Sequence, residues 1–296
     1  INGISDSLIV NCLESKEWQI YKSDRFGFNN QDELWNDDNV DVILIGDSFV
    51  EGDCVDANQS LNGNISELTG NKIIALGVGG SGPLFYLARI REYANQLKPK
   101  KIIWFHYEGN DLRNLNYEKQ SSILLNYLSS DFSQKLTKKQ NLIDKNFKKF
   151  LERHEKLIKK ENNFLRFLKL QSLRNFLREA NQSLSNKRFR TIDRGEIDET
   201  IALYEKILIR VIQDINSYSG ELYIVYLPSY ARYLSNDYEK KYEKIKENFF
   251  KMLSKNKINF LDTSQIINRQ DFPYIPNHYN EEGYKKISDL IVKNIF

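Results

Sequence analysis

Five short, nearly continuous apolar runs punctuate the chain, and each is soon followed by a glycine, a proline or a polar turn. They lie at residues 42–45, 73–76, 102–105, 222–227 and 258–261. Runs of this kind are typical of strands buried on both faces, because half-exposed strands alternate apolar with polar residues. The pattern therefore predicts five strands of one buried sheet.

Between these runs, apolar residues recur every three or four positions, which is the period of an amphipathic helix. One such stretch stops before Pro99, which closes it, and contains Leu87, Ile90, Ala94 and Leu97. Others cover residues 197–215, 238–252 and 284–291. Strands that alternate with helices predict an α/β fold with a parallel sheet in one three-layer domain. Residues 1–40 show neither period and are expected to be irregular.

A segment at about residues 117–190 interrupts this alternation between the third and fourth strands. Its clearest part is a stripe at helical spacing that consists of Phe147, Phe150, Leu151, His154, Leu157 and Ile158. We predict a helical insertion that packs over or beside the catalytic face of a single domain spanning residues 1–296. The bounds of the insertion, about residues 117 and 190, are the points where the alternation of strands and helices stops and resumes.

The charge of this insertion differs from that of the rest of the chain. It carries about eighteen Lys and Arg against about seven Asp and Glu, whereas the whole chain has a net charge of only +3. Such asymmetry suggests contact with an anionic partner, either a membrane surface or an acidic glycan. The alternative is a solvated helical face, and binding that weakens with added salt would separate the two.

Composition narrows the class of protein. With 296 residues and 41% hydrophobic residues the chain can build a large core, and its small net charge predicts no nucleic-acid partner. No apolar run reaches the ~18 residues of a membrane span, and no signal peptide is visible. Because the chain begins at Ile1 instead of Met, we expect an upstream segment to have been removed. A periplasmic or membrane-anchored location is then one expectation, and a cytoplasmic one the alternative.

Candidate chemistry follows three of the predicted strands. Their ends read GDSFVEG at residues 46–52, GVGGSGP at 77–83 and YEGND at 107–111. In an open parallel sheet, ligands bind beyond the carboxyl ends of the strands, so the three segments should meet at one edge. Ser48 can project its hydroxyl from a tight turn as a nucleophile, while the glycine run and the amide of Asn110 can donate hydrogen bonds to an oxyanion.

A serine nucleophile needs a base, and the chain has three histidines. His106 lies inside the third strand, where a buried structural role is expected. His154 lies on the apolar stripe of the insertion and is expected to be packed or interfacial. His278 precedes the last helix and is well placed to reach across the sheet edge, so we assign it as the base. The scattered histidines and the two isolated cysteines form no metal-ligand set, and no cofactor is expected.

Four blocks in this order, GDSFVEG, GVGGSGP, EGND and NHYNEEGY, resemble those of the SGNH-type (GDSL-like) serine hydrolases. The resemblance covers roughly residues 40–115 and 220–296. The stretch from GDSFVEGDCV to WFHYEGNDL is similar to a bacterial subgroup that often carries an N-terminal signal or anchor. It implies a flavodoxin-like α/β/α fold with Ser48 as nucleophile and His278 as base. It also implies an oxyanion hole formed by the Ser48 N–H, the Gly80 N–H and the Asn110 amide.

Two positions depart from the family pattern. The family usually has Asp three residues before the histidine, where this chain has Ile275, and a glycine where it has Glu108. We favour a Ser–His dyad in which a backbone carbonyl near Tyr274 or Ile275 orients the imidazole. Asp271 could supply the acid only if the loop folds back. Glu108 is interpreted as structural, with a role inside the site as the alternative.

Three functions remain open at this stage. The first is a serine esterase that acts on an acylated carbohydrate or another small ester. The second is an O-acyltransferase that passes the acyl group from the same serine to a sugar hydroxyl. The third is a non-catalytic binding protein of the same fold. A dinucleotide-binding interpretation of the glycine run at residues 77–82 is disfavoured, because no acidic residue ends the next strand.

Overall fold

The computed structural model describes residues 2–12, 18–37, 39–160, 194–272 and 278–296. The chain divides into two compact units. The main unit comprises Ile1–Gln140 and Asp198–Phe296, and the second comprises Asn141–Ile197. All the candidate site residues that are described belong to the main unit.

The main unit is built on a parallel sheet. Its strands are β3 (Val42–Gly46), β4 (Ile73–Gly77), β5 (Lys101–Tyr107), β6 (Glu221–Leu227) and β7 (Asn259–Asp262); β1 (Leu8–Asn11) and β2 (Gln19–Lys22) form a separate hairpin. The strand order is β4-β3-β5-β6-β7 with every pair parallel. Counted from β3, this is the 2-1-3-4-5 order of flavodoxin-like sheets. The prediction of five parallel strands is confirmed.

Helices flank the sheet on both faces. They are α1 (Ser48–Glu51), α2 (Leu61–Thr69), α3 (Pro83–Arg89), α4 (Asp111–Glu118), α5 (Ser122–Asn126), α6 (Gln140–Lys160), α7 (Arg194–Asn216), α8 (Asn236–Lys255) and α9 (Glu281–Ile295). A π-helical turn over Ile90–Ala94 continues α3. Short 3-10 turns cover Asp32–Asn36, Ala57–Gln59, Leu136–Lys139, Tyr230–Tyr233 and Arg269–Asp271.

The two faces of the sheet bury different helices. Leu44 and Phe105 belong to a core cluster with residues of α2 and α9, such as Ile65 and Ile287. On the opposite face, Trp104 packs against aromatic residues of α3 and α7. Because both faces are covered, successive strand residues are buried, which explains the continuous apolar runs. The three-layer α/β/α fold class is confirmed.

The expectation that residues 1–40 are irregular is wrong, because β1 and β2 pair as an antiparallel hairpin within this segment. The hairpin escapes the usual pattern because its apolar side chains Leu8, Val10 and Ile20 are exposed. Its polar residues Asn11 and Tyr21 instead face the rest of the main unit, where they bond to Asp53 and Glu51. Apart from Ile9, which is partly buried, the usual correspondence between apolar residues and the buried face is therefore inverted.

The stripe predicted for the insertion begins within α6, and its residues Phe147, Phe150 and Leu151 are exposed in this helix. His154 is also exposed and stacks on Phe150, with 5.0 Å between ring centroids. The part of the insertion from 161 to 193 lies outside the described residues. Its placement beside the catalytic face stays a prediction.

The second unit begins at Asn141, later than the expected boundary near residue 117. Residues 117–140 pack into the main unit because the carboxylate of Glu92 binds them: it accepts from the Tyr127 hydroxyl at 2.7 Å and from the backbone N–H groups of Gln134 and Leu136. Among the described helices, none combines the length and the hydropathy needed to cross a membrane.

Candidate active site

The nucleophile candidate sits on a sharp turn between β3 and α1. Asp47 caps α1 by accepting from the Phe49 N–H at 3.1 Å, and Ser48 is the first residue of the helix. This turn requires close backbone packing, because a Cβ on Gly77 at the end of β4 would lie 2.1 Å from the Glu51 nitrogen. A glycine is therefore needed where β4 passes α1, and the turn brings Ser48 to the carboxyl edge of the sheet.

The structure brings Ser48 and His278 together although 230 positions separate them in the sequence. His278 Nε2 lies 2.7 Å from Ser48 Oγ, the geometry of a nucleophile paired with a general base. The Phe49 ring packs on the imidazole, with 4.9 Å between centroids. After the histidine, the Tyr279 hydroxyl donates to the Pro228 carbonyl and Asn280 caps α9. These contacts hold the chain that presents His278.

The glycine run lies beside Ser48. A Cβ built on Gly79 would lie 3.6 Å from Ser48 Cβ, and the Gly79 N–H donates to Glu51 Oε2 at 2.6 Å. The other oxygen of Glu51 accepts from the Tyr21 hydroxyl at 2.8 Å. Gly80 follows in the left-handed region with φ +72°, which glycine adopts without strain. Glu51, which the sequence analysis did not single out, thus fixes the loop that carries Gly80.

Asn110 is the third oxyanion candidate, and it also reaches the nucleophile turn. Its Nδ2 donates to Asp47 Oδ2 at 3.2 Å, which leaves the second amide hydrogen for another acceptor. Burial, followed by the charge of Asp111, raises the pKa of Asp47 to about 7. The turn of Ser48 and the Asn block are therefore linked by one hydrogen bond between the buried Asp47 and the partly buried Asn110.

Glu108 lies in a buried ion pair, which supports its structural interpretation. Its Oε2 is 2.7 Å from Arg232 Nη2, and the two side chains are 1% and 5% exposed. The same carboxylate accepts from the Tyr226 hydroxyl and the Ser229 N–H. The structure therefore joins Glu108 to β6 and the turn after it, and does not place it with the Ser48–His278 pair.

Replacing Glu108 by alanine is expected to lower the free energy of unfolding by about 3 kcal/mol, because Arg232 would stay buried without its main partner. The estimate is at the low end of the usual range, since Glu243 still contacts Arg232 at 2.7 Å. Urea unfolding measures the effect. Glu221→Ala is the matched control, because Glu221 is half exposed in its pair with Lys101 and should cost less than about 1 kcal/mol. Equal costs for the two variants would contradict the prediction.

The structure does not bring Asp271 to His278. The Asp271 carboxylate is buried and bound elsewhere, with Lys286 Nζ at 2.5 Å and the Asn268 N–H at 2.7 Å. Its backbone carbonyl accepts from the Asn280 N–H at 2.7 Å, so Asp271 supports the loop rather than the imidazole. The alternative carbonyls near Tyr274 and Ile275 lie outside the described residues.

The sequence analysis missed two groups that do contact the imidazole. Asp53 Oδ2 lies 3.9 Å from His278 Nε2, and Cys54 Sγ lies 3.4 Å from His278 Nδ1. Cys54 is disulfide-bonded to Cys12, so the interpretation of the cysteines as isolated is wrong. The even number of cysteines was the only signal in the sequence, and their separation of 42 positions suggests no pairing by itself.

His106 has the structural role predicted for it. It stacks on Phe249 with 4.2 Å between centroids, and its Nδ1 lies 3.3 Å from Asp111 Oδ2 and 3.2 Å from the Tyr204 hydroxyl. Burial lowers the pKa of His106 to about 3, so the imidazole is neutral at pH 7. Asp111 also accepts from the Tyr86 hydroxyl, which makes it part of this buried network.

Two further buried ionisable residues, Arg89 and Glu118, bind backbone groups at the sheet edge, and the sequence analysis did not predict them. The Arg89 guanidinium donates to the carbonyls of Gly46 and Leu76, which are at the ends of β3 and β4. Glu118 accepts from the N–H groups of Gly82 and Leu84, and so fixes the chain after the glycine run. Both side chains are buried and stabilise backbone groups next to the candidate site.

Comparison with known proteins gave no matching family model and no matching curated protein. Among solved structures, a carbohydrate acetylesterase from Sinorhizobium meliloti is similar at 12% identity and TM-score 0.47, over 86% of this chain and 97% of that one. A GDSL-like lipase from Bacteroides thetaiotaomicron is similar at 13% identity and TM-score 0.45, over 86% and 87%. A member of the lipolytic G-D-S-L family from Veillonella parvula is similar at 11% identity and TM-score 0.45, over 86% and 97%.

Proposed function

We propose that the chain is a serine ester hydrolase. The observation that carries the proposal is the 2.7 Å contact between Ser48 Oγ and His278 Nε2 at the carboxyl edge of β3. In the first step His278 takes the hydroxyl proton while Ser48 Oγ attacks the ester carbonyl carbon. The carbonyl oxygen becomes an oxyanion, which the Ser48 N–H, the Gly80 N–H and the second Asn110 amide hydrogen stabilise.

The protonated His278 then gives its proton to the leaving alcohol, and the acyl group stays on Ser48 as an ester. In the second half-reaction His278 accepts a proton from water, the resulting hydroxide attacks the acyl-enzyme, and the acid product leaves. The proton returns to Ser48 Oγ, so the enzyme is regenerated. We take the substrate to be a small ester, with acylated carbohydrates included.

An O-acyltransferase is the second candidate, because its first half-reaction uses the same residues. It differs only in the second half, where a sugar hydroxyl replaces water. A non-catalytic binding protein is less well supported, since a hydrogen-bonded Ser–His pair beside donor groups serves no evident purpose in binding alone.

Labelling with a fluorophosphonate probe tests the proposed function. The probe phosphonylates an activated serine, and we expect mapping of the modified peptide to identify Ser48. Heat-denatured protein is the control and should not be labelled. Modification of a residue other than Ser48 would rule the proposal out. So would folded protein that is neither labelled by the probe nor able to hydrolyse a small activated ester. Acylated product formed from an added sugar acceptor would select the transferase.

Replacing Asn110 by alanine should lower kcat by about 10²–10³-fold with a smaller change in KM, because one oxyanion donor contributes that much to the transition state. The steady-state rate on a small activated ester measures this. Asn294→Ala is the control, since the Asn294 amide is exposed and bonds only within α9. An effect confined to KM would contradict the assignment of Asn110 to the oxyanion hole.

The disulfide bears on location. Disulfides form and persist in oxidising compartments and are rare in the cytosol. The Cys12–Cys54 bond therefore supports the periplasmic or membrane-anchored expectation over the cytoplasmic alternative.

A further inference from the structure

The Cys12–Cys54 disulfide lies against the Ser–His pair. It joins the residue after β1 to the loop that follows α1, with 5.2 Å between the two Cα atoms. Both half-cystines have positive φ, 42° for Cys12 and 71° for Cys54, which is costly for residues with a side chain. Strained backbone of this kind persists where surrounding structure holds it, and it clusters at functional sites.

The crosslink meets the imidazole at the nitrogen that does not face the serine. Cys54 Sγ lies 3.4 Å from His278 Nδ1, within hydrogen-bonding range for sulfur. A disulfide sulfur carries no hydrogen, so in this contact it can only accept. The contact therefore favours the tautomer with hydrogen on Nδ1, and this tautomer leaves the Nε2 lone pair directed at Ser48.

A reduced pair would act in the opposite sense. A thiol S–H can donate to Nδ1 and so favours the tautomer with hydrogen on Nε2. That tautomer cannot take the proton of the Ser48 hydroxyl. The oxidation state of Cys54 thus shifts the population of His278 between the tautomer that can act as a base toward Ser48 and the tautomer that cannot.

The same crosslink fixes a carboxylate beside the imidazole. Asn11, which precedes Cys12, donates its side-chain N–H to Asp53 Oδ1, and Asp53 precedes Cys54. The Tyr284 hydroxyl holds the Asp53 carbonyl at 3.1 Å. Burial, followed by the charge of Glu51, raises the pKa of Asp53 to about 7. Its Oδ2 lies 3.9 Å from His278 Nε2, so the ionised form of Asp53 can stabilise the imidazolium that forms during catalysis.

We propose that the Cys12–Cys54 disulfide is a positioning element of this site, which sets the tautomer of His278 from the Nδ1 side and holds Asp53 beside the ring. The assignment rests on the hydrolase function proposed above. It assigns to a crosslink the orienting role that a triad acid has in other serine hydrolases. Ester hydrolysis by Ser48 then depends on the oxidation state of the pair.

Reversible reduction of the whole chain is the first test. A small dithiol gives two electrons and two protons to the disulfide, so Cys12 and Cys54 each gain one S–H while the dithiol closes to a cyclic disulfide. A metal chelator must be present, because the Cys12, Cys54 and His278 ligand atoms lie within 4.8 Å of one another and suit soft cations. We expect kcat to fall about 10- to 100-fold with KM changed less than about threefold, and oxidation to restore it.

The assay must separate positioning from loss of the fold. Circular dichroism and thermal melting fix a temperature at which the reduced protein stays folded, and thiol titration confirms that both cysteines are reduced. Under those conditions an unchanged kcat overturns the proposal. A fall in kcat that merely follows the unfolded fraction overturns it as well.

Two variants assign the effect to this pair. Cys12→Ala combined with Cys54→Ala should have a low kcat that no longer responds to dithiol. Asn11→Ala keeps the disulfide and removes the bond to Asp53, together with the local bond that Asn11 Oδ1 accepts from the Cys12 N–H. We expect kcat to fall about 3- to 10-fold at constant KM. Gln19→Ala, at the paired position on β2, is the matched control and should leave kcat unchanged.

The outcomes also separate this proposal from the hydrolase function on which it rests. Turnover that survives Ser48→Ala would defeat both. Turnover that requires Ser48 but is indifferent to reduction and to Asn11→Ala would defeat the positioning role alone.

Discussion

Replacing Ser48 by alanine is expected to reduce ester hydrolysis by about 10³-fold or more without unfolding the protein. The substitution removes only the hydroxyl that lies 2.7 Å from His278 Nε2. The turn itself should survive, because the Asp47 carboxylate, not Ser48, caps α1. The rate constant kcat/KM on a small activated ester measures the loss, and urea unfolding checks stability.

Ser217→Ala is the matched control for this substitution. Ser217 is exposed and bonds only to the Asp214 carbonyl within its own turn, so its loss should leave kcat/KM unchanged. Near-normal turnover by the Ser48 variant would show that another group is the nucleophile. Weak activity that equals the rate without enzyme would agree with the proposed role.

Replacing His278 by alanine should be as damaging as replacing Ser48. Without a base the serine hydroxyl is a poor nucleophile at neutral pH, so a loss of about 10³-fold or more is expected. Because the two residues act as a unit, the double variant should be no slower than either single variant. Steady-state rates of the three variants on the same ester decide this.

His154→Ala is the control for the histidine substitution. His154 is exposed on α6 and stacks on Phe150, and its removal should not change the rate. Asp271→Asn should cost less than about tenfold, whereas loss of a true triad acid costs about 10⁴-fold. The Lys286 and Asn268 contacts of Asp271 are the reason for this expectation. A loss of rate of several orders of magnitude in the Asp271 variant would show that Asp271 is the acid of a Ser–His–Asp triad.

Much of the fold is determined by local sequence. Strands buried on both faces must be continuous apolar runs, and helices that cover a sheet must repeat every three to four residues. These constraints identified the sheet strands and the long helices without reference to any other part of the chain. They failed at the hairpin of β1 and β2, because there polar residues face the rest of the main unit and most of the apolar ones face outward.

The candidate chemistry was predictable where a residue's role follows from its place in an element. Ser48 follows a buried strand and His278 precedes a helix, so both positions could be read from the sequence, and the structure joins them at 2.7 Å. The structural role of His106 followed in the same way from its place inside β5. A parallel sheet brings the carboxyl ends of its strands to one edge, so residues predicted separately at those ends lie close together in one site.

Only the tertiary structure decided what surrounds the imidazole. Asp53, Cys54 and Cys12 contact it or one another because the N-terminal hairpin packs against the loop after α1. No periodicity encodes this packing, since each contact joins residues far apart in the sequence and depends on side-chain direction at a few ångströms. The sequence by itself determined the sheet, the order of its helices and the Ser–His pair. Long-range packing decided which groups surround that pair, because the energy of a hydrogen bond depends on a geometry that local patterns do not specify.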